Sequence, residues 1–211
     1  MLKRLKVFSV AAVAMLAMAA TASAAPIVTF TTTGIFGSSG SNIATFGSGP
    51  GGTGTATVTF NGIAAGNSFD LVNGLSNVSY GDFVLTTTGG NFSGTASSSF
   101  TLGISQTEPS AGTSAFVGTL TGSFVIAGTP GSTDFSIAFN PTMTTIGGVT
   151  YVIDPLYRLV PPTSGVGGGA TPGTTSIQGE IRAANPIPEP TTMMLLGTGL
   201  LAAFRARRRK A

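Results

Sequence analysis

The 211-residue sequence predicts an all-β fold, an antiparallel β-sandwich or a related Greek-key domain. Short runs rich in Val, Ile, Thr and Phe alternate with stretches of Gly, Ser, Asn and Pro along the centre of the chain. No stretch shows a convincing helical period, and the helix formers Lys, Glu and Gln are scarce. Because about a quarter of the central residues are Leu, Ile, Val or Phe, we expect a folded core rather than disorder.

Eight central segments are predicted to be strands because each is rich in β-branched or aromatic residues. They are residues 27–33, 55–60, 82–88, 98–105, 116–126, 134–139, 144–153 and 175–182. Residues 99–104 and 135–139 alternate apolar and polar side chains with period two, as half-buried strands do. Phenylalanines recur through these runs and are expected to fill the core, namely Phe60, Phe69, Phe83, Phe100, Phe116, Phe124, Phe135 and Phe139.

Turn residues separate the predicted strands. Asn61-Gly62 and Asn73-Gly74 are expected to supply positive φ, and residues 128–131 mark another turn. Residues 34–54 and 165–173 are rich in glycine and are predicted to be flexible loops. The second loop would isolate a last strand, residues 175–182.

Residues 1–24 have the three-part layout of a secretory signal peptide. Residues 1–6 carry three positive charges, residues 7–20 are apolar except for Ser9, and Ala22 and Ala24 supply the small side chains of an A-x-A cleavage site. The apolar run is shorter than the roughly 20 residues that a membrane span needs. We therefore predict an N-terminal signal helix and export, with signal peptidase cutting after Ala24.

The C-terminal segment changes character at Pro188-Glu189-Pro190. An uncharged stretch, residues 191–204, follows the prolines and would form a helix about 21 Å long. That length is short of a hydrocarbon core of about 30 Å, and Gly197 and Gly199 lower the helix propensity further. A basic cluster then follows, made of Arg205, Arg207, Arg208, Arg209 and Lys210.

This arrangement resembles the PEP-CTERM sorting signal, and tails of this kind have also been labelled an ice-binding protein C-terminal domain. The resemblance implies that an exosortase, a membrane cysteine protease-transpeptidase, recognises Pro188, Glu189 and Pro190. Residues 193–204 would be a short membrane helix and the basic cluster its stop signal. It further implies a Gram-negative bacterium that makes exopolysaccharide, transient anchoring in the membrane, and then placement at the cell surface or in the extracellular matrix. A permanent tail anchor is the alternative.

Three segments follow from these signals. Residues 1–24 are predicted to be the signal peptide, residues 25–184 a β-rich extracellular domain, and residues 185–211 the sorting signal.

The composition of residues 25–187 excludes several function classes. Its basic residues are only Arg158 and Arg182, against six acids, so it cannot neutralise many phosphates and nucleic-acid binding is not expected. The whole chain lacks histidine and cysteine, and this segment lacks lysine, which removes the usual nucleophile–base pairs. We therefore predict that the domain is not an enzyme, with no catalytic residue and no cofactor.

The six acids leave two chemistries to weigh. They are Asp70, Asp82, Glu108, Asp134, Asp154 and Glu180. Calcium could bind between Asp70 and Asn73, or between Asp82 and Glu108, but no EF-hand spacing is present and no metal site is assigned. A carboxylate-dependent hydrolase would need a deep cleft holding two acids about 5–10 Å apart.

The favoured hypothesis is a non-catalytic surface or matrix protein with a structural or adhesive role in a biofilm, linked to exopolysaccharide. The alternative is a ligand-binding β domain for a glycan, calcium or an ice surface. Ice is considered because a strand over residues 53–59 would place Thr53, Thr55, Thr57 and Thr59 on one face. A flat ice-binding face would need such threonines on neighbouring strands as well.

Overall fold

The computed structural model describes residues 26–37, 40–47, 53–72, 74–127, 131–164, 170–183 and 198–199. The strands all belong to one compact unit, Pro26–Ala184. Both predicted terminal helices lie outside the described residues, apart from Thr198 and Gly199, which have helical backbone conformation. No helix in the described part of the chain has the length and apolar character to cross a membrane.

The described residues form fourteen β-strands. They are β1 (Ile27–Phe36), β2 (Ile43–Gly47), β3 (Thr55–Asn61), β4 (Ser68–Asp70), β5 (Leu75–Thr88), β6 (Asn91–Glu108), β7 (Gly112–Ala127), β8 (Ser132–Phe139), β9 (Met143–Ile146), β10 (Val149–Ile153), β11 (Leu156–Arg158), β12 (Thr163–Ser164), β13 (Ala170–Thr171) and β14 (Gly173–Ala183).

Two six-stranded antiparallel sheets make up the domain. The first has the order β11-β8-β7-β6-β1-β4, the second has the order β2-β3-β5-β14-β10-β9, and β12 with β13 forms a short ribbon. Rings from the two sheets meet between them, for example Phe60 with Phe100 at 5.3 Å and Phe30 with Tyr151 at 5.5 Å between centroids. The predicted all-β antiparallel sandwich is therefore confirmed.

The core follows the alternation of the strands. Phe100, Leu102 and Ile104 are buried on β6, as the period-two pattern predicts. Of the eight predicted core phenylalanines all are buried except Phe69, which is half-buried and packs against the core. Five further rings are buried that were not among the predicted core residues, namely Phe30, Phe36, Tyr80, Tyr151 and Tyr157.

Three predictions about the extent of strands and loops are wrong. Residues 144–153 form two strands, because Gly147 and Gly148 adopt φ of 54° and 83° and make a tight hairpin turn. Residues 34–54 are not one loop, since β1 continues to Phe36 and β2 lies within the segment. The last strand, β14, is not isolated but lies between β5 and β10, where Ile177 and Ile181 are fully buried.

Of the predicted positive-φ turns, one is confirmed and one is wrong. Gly74 adopts the expected positive φ of 79°. Gly62 does not, and its lack of a side chain serves a close approach instead, because a Cβ there would lie 2.0 Å from the Thr32 carbonyl oxygen. Asn73, residues 128–130 and residues 165–169 lie outside the described residues.

Candidate functional site

The outer surface of the first sheet is covered with small hydroxyl side chains. On β6 and β7 the outward positions are Ser, Thr, Asn, Ala, Gly or Val, and none of those between Asn91 and Ser105 or between Thr113 and Ala127 is charged. We call the following outward residues of β6, β7 and β8 the hydroxyl face: Thr95, Ser97, Ser99, Thr101, Ser105, Thr113, Thr119, Thr121, Ser123 and Ser136.

The strand register arranges these hydroxyls in rows. Ser97 lies opposite Thr121, which lies opposite Ser136 on the next strand. Adjacent strands are about 4.8 Å apart and successive outward residues along a strand about 6.7 Å, so the rows form an array, which Ala115, Val117 and Val125 interrupt on β7. Charge borders the array on the β11 side: Asp134 lies opposite Ser123, Arg158 lies opposite Ser136, and the two side chains form an exposed ion pair at 3.7 Å.

A shallow groove crosses the array where β1, β6 and β7 meet. Its volume is about 210 Å³, and it is lined by Thr31, Thr33, Gly103, Ile104, Ser105, Thr113 and Ser114. Gly103 keeps it open, because a Cβ there would lie 2.9 Å from the Thr33 hydroxyl oxygen. The groove therefore offers hydroxyls on both sides of a floor with no side chain.

Three of the four predicted threonines, Thr55, Thr57 and Thr59, face outward on β3, whereas Thr53 precedes the strand. Neighbouring strands place further threonines beside Thr55 and Thr57. Thr57 lies opposite Thr45 on β2 and Thr86 on β5, and Thr55 lies opposite Thr88. The hydroxyl oxygens of Thr45 and Thr57 are 3.3 Å apart, and those of Thr55 and Thr88 are 2.5 Å apart. We call Thr45, Thr55, Thr57, Thr86 and Thr88 the threonine patch.

A larger groove lies on the outer side of the second sheet, between β5, β14 and β10. Its volume is about 420 Å³, and Asn77, Asp154, Gln178 and Glu180 supply its polar side chains. Tyr157 holds the backbone behind it, since its hydroxyl accepts from the Asp154 N–H at 2.9 Å and donates to the Gln178 carbonyl. Burial raises the pKa of Tyr157 to about 12, so this hydroxyl stays protonated at neutral pH.

Of the two acids in this groove, Glu180 is held in an ion pair. Arg182 donates to both oxygens of Glu180, at 2.5 and 3.0 Å. These bonds lower the pKa of Glu180, with the attraction of the Arg182 charge acting in the same direction. A general acid in glycoside hydrolysis needs a raised pKa, so Glu180 is unsuited to that role.

The remaining acids are scattered. Asp70 lies on the short edge strand β4, and Glu108 ends β6 in the first sheet. Asp82 lies in the second sheet, where it accepts a hydrogen bond from the Ser176 hydroxyl at 2.5 Å. Within the described ranges, no three acidic, histidine or cysteine residues come together as a metal site. The proposed partner of Asp70, Asn73, is outside those ranges.

The hydroxyl rows were not predicted, although the sequence contains the alternation of Ser and Thr that produces them. Residues 93–105 and 113–125 place Ser or Thr at most alternate positions. That pattern identifies a polar strand face, but only the register of β6, β7 and β8 shows that three such faces lie side by side.

The predicted targeting residues cannot be placed in the fold. Outside the described residues lie Ala22, Ala24, Pro188, Glu189, Pro190, Arg205, Arg207, Arg208, Arg209 and Lys210. Their assignment as targeting residues therefore rests on the sequence alone.

The described domain is thus an all-β sandwich with polar, sparsely charged outer faces. Residues 186–210 match the PEP-CTERM protein-sorting motif, which confirms the resemblance stated from the sequence. The chain is therefore an exported protein that an exosortase sorts to the cell surface or the extracellular space. No curated protein and no solved structure matches the chain significantly.

Proposed function

We propose that the protein is a non-catalytic structural or adhesive component of the cell surface or extracellular matrix, and that it contacts exopolysaccharide through the hydroxyl face. The observation that carries this proposal is the register of Ser97, Thr121 and Ser136, which places hydroxyls from three strands in one row. On β6 and β7, hydroxyls also lie opposite one another in the pairs Thr95–Ser123, Ser99–Thr119 and Ser105–Thr113.

Hydroxyl rows suit a polysaccharide for two physical reasons. Each hydroxyl can both donate and accept, as sugar hydroxyls do, so many relative orientations satisfy both partners. Ser and Thr also lose less side-chain entropy on binding than long charged residues. Single contacts of this kind are weak, but a polymer meets many copies at once, and avidity multiplies weak contacts.

The absence of catalysis is part of the proposal. The chain has no histidine or cysteine. Of the two acids that line the larger groove, Asp154 and Glu180, the second is held in an ion pair with Arg182. These observations support a binding role over a hydrolytic one. Incubating the purified protein with its own exopolysaccharide should release no reducing ends, and release that depends on Asp154 would contradict the proposal.

The proposal also includes two targeting steps. Signal peptidase would remove residues 1–24, and the segment after Pro190 would hold the protein in the membrane until exosortase acts. Deleting residues 188–211 should release the protein into the medium and weaken the biofilm. Unchanged retention at the surface would contradict the sorting step without testing the hydroxyl face.

The hydroxyl face is tested by removing one row of hydroxyls at nearly constant shape. The triple variant Ser97→Ala, Thr121→Val, Ser136→Ala should be exported normally but should sediment less with exopolysaccharide. The matched control is Thr55→Val, Thr57→Val, Thr86→Val on the second sheet, which should keep full retention. Equal retention of both variants and the unaltered protein would refute a role for this face.

The threonine patch favours a second candidate, binding to an ordered surface such as ice. Thr45, Thr57 and Thr86 meet the condition that threonines repeat across neighbouring strands. Their hydroxyls are held in place, because Thr45 bonds to Thr57 and the Thr86 hydroxyl donates to the Thr57 carbonyl at 3.4 Å. The purified protein should then inhibit ice recrystallisation, and Thr57→Lys should abolish the effect. No inhibition by the unaltered protein would reject this candidate.

A further inference from the structure

We propose that β2 pairs with β2 of a second copy of this chain, so that two domains form a continuous sheet across a twofold axis. The inference concerns the edge of the second sheet and does not depend on the hydroxyl face. It follows from how the four end strands of the two sheets are protected. Natural sheets usually shield such edges with charges, proline, very short strands or covering segments.

Three of the four end strands carry such protection. β4 has three residues and ends at Asp70, and β11 has three residues, follows Pro155 and ends at Arg158. β9 lies beside β7, and the Thr144 hydroxyl is 2.5 Å from the Ser114 hydroxyl of that strand. These edges are therefore short and charged, or covered.

β2 is longer than β4 and β11, and the described residues show one backbone bond from another strand beside its start, from the Phe36 N–H to the Ser41 carbonyl at 2.8 Å. Its five residues, Ile43–Gly47, include no charge and no proline, and the neighbouring β3 has no charge either. Two copies can therefore bring these edges together without like-charge repulsion, although the domain as a whole is acidic.

The hydrogen-bond pattern shows which backbone groups of β2 point away from β3. The Phe60 N–H donates to the Asn42 carbonyl at 2.9 Å, so Asn42 and Phe60 are a hydrogen-bonded pair. Because such pairs alternate along an antiparallel ladder, the N–H and C=O of Thr45 point outward. The Ile43 N–H points the same way and donates to the Ser41 hydroxyl at 3.1 Å.

The sequence of β2 is complementary to itself in one register. In an antiparallel pair centred on Thr45, the two Thr45 residues exchange backbone hydrogen bonds. Ile43 then lies opposite Gly47 of the second copy on the outer face, and Ala44 lies opposite Phe46 of the second copy on the inner face. A large side chain meets a small one in each pair, so both faces can interlock.

The pairing would also extend two features already described. The row Thr86, Thr57, Thr45 would continue into the same row of the second copy. On the inner face, Phe46 already packs on Phe135 with ring centroids 5.7 Å apart, and Ala44 of the second copy would lie beside it. A five-residue edge makes a small interface, so we expect a weak dimer that forms when copies are concentrated at one surface.

Disulfide trapping tests the register, because the natural chain contains no cysteine. In full-length protein exported by the cell, Thr45→Cys should form a disulfide-linked dimer, since paired Cα atoms at such a position are about 5.5 Å apart. Ile43→Cys is the matched control on the same edge. Its Cα would be about 13 Å from its mate, four residues along the strand, and should form no bond.

Each outcome of this experiment either supports the pairing or overturns it. Dimer from Thr45→Cys with none from Ile43→Cys supports the pairing. Equal amounts from both variants, no dimer from either, or a mixed disulfide of Thr45→Cys with a different protein overturns it. As a second measurement, the unaltered exported protein should sediment as a dimer at high concentration, and Thr45→Lys should be monomeric. A concentration-independent monomer would also overturn the proposal.

Discussion

Along β6, the side chains that point inward differ in kind from those that point outward. Phe100 and Leu102 are fully buried, whereas Ser99 before them and Ser105 after them are exposed. The inward positions determine packing with the opposite sheet, since Phe100 contacts the rings of Phe60 on β3 and Phe83 on β5.

This contrast suggests that stability and recognition are separable in this protein. Substitutions on the inner face should change folding and leave the outer chemistry intact in whatever remains folded. Substitutions on the outer face should change binding with little effect on folding. The predictions below test that separation, beginning with the inner face.

The largest effect is expected at alkaline pH. Burial raises the pKa of Tyr80, Tyr151 and Tyr157 above the usual value near 10. Below that value both the folded and the unfolded chain keep these protons, so the stability is fully present. Above it the unfolded chain releases them first, and stability falls by about 1.4 kcal/mol per pH unit for each tyrosine.

From pH 10 to pH 12 the three tyrosines together would cost about 6 kcal/mol, which is comparable to the whole stability of a domain. Residues 26–184 contain no lysine, so no other side chain with a pKa near 10 obscures the effect. Urea unfolding followed by circular dichroism should show the loss. Equal stability at pH 8 and pH 11.5 would mean that these hydroxyls are not buried.

The second prediction removes one ring from the inner face. Phe100 is fully buried, with ring centroids of Phe36, Phe83 and Phe60 at 4.7, 5.0 and 5.3 Å. Phe100→Ala should lower the free energy of unfolding by about 3–5 kcal/mol, because it leaves a cavity between the sheets. Val117→Ala, at a half-exposed outward position on β7, is the control and should change it by less than about 0.5 kcal/mol.

A smaller effect is expected from a buried hydrogen bond. The Tyr151 hydroxyl donates to Gln106 Oε1 at 2.5 Å, and Gln106 is almost completely buried. Tyr151→Phe leaves that oxygen without its donor and should cost about 1–3 kcal/mol. A double-mutant cycle with Gln106→Met measures the coupling. If the two single losses simply add, the bond contributes nothing to stability.

The inner face was also the part most accessible to sequence reasoning. Alternation in residues 99–104 and 135–139 gives the buried side of β6 and β8, because burial on one face imposes period two on the residues themselves. Burial of the tyrosines was not predicted, because their hydroxyls donate to residues that are far away in the sequence. Tyr80 donates to the Glu180 carbonyl at 2.9 Å, and such a partner is invisible in a single segment.

Topology and the outer surfaces could not be derived in the same way. β14 lies in the middle of its sheet because β5 and β10 pair with it from opposite sides. Neither neighbour is encoded in the local pattern of β14. Similarly, β2 appeared to be part of a Gly-rich loop, since five uncharged residues become a recognisable edge only when β3 lies beside them.

The smallest stability effect is predicted for the hydroxyl face. The triple variant Ser97→Ala, Thr121→Val, Ser136→Ala alters only outward-facing side chains, none of which belongs to the core. Each change should shift the free energy of unfolding by no more than about 0.5 kcal/mol, measured by urea unfolding. Because Val favours strands, the change at Thr121 should offset part of any loss. A loss of more than about 2 kcal/mol would mean that these rows stabilise the fold, and reduced exopolysaccharide retention in this variant could then no longer be attributed to binding.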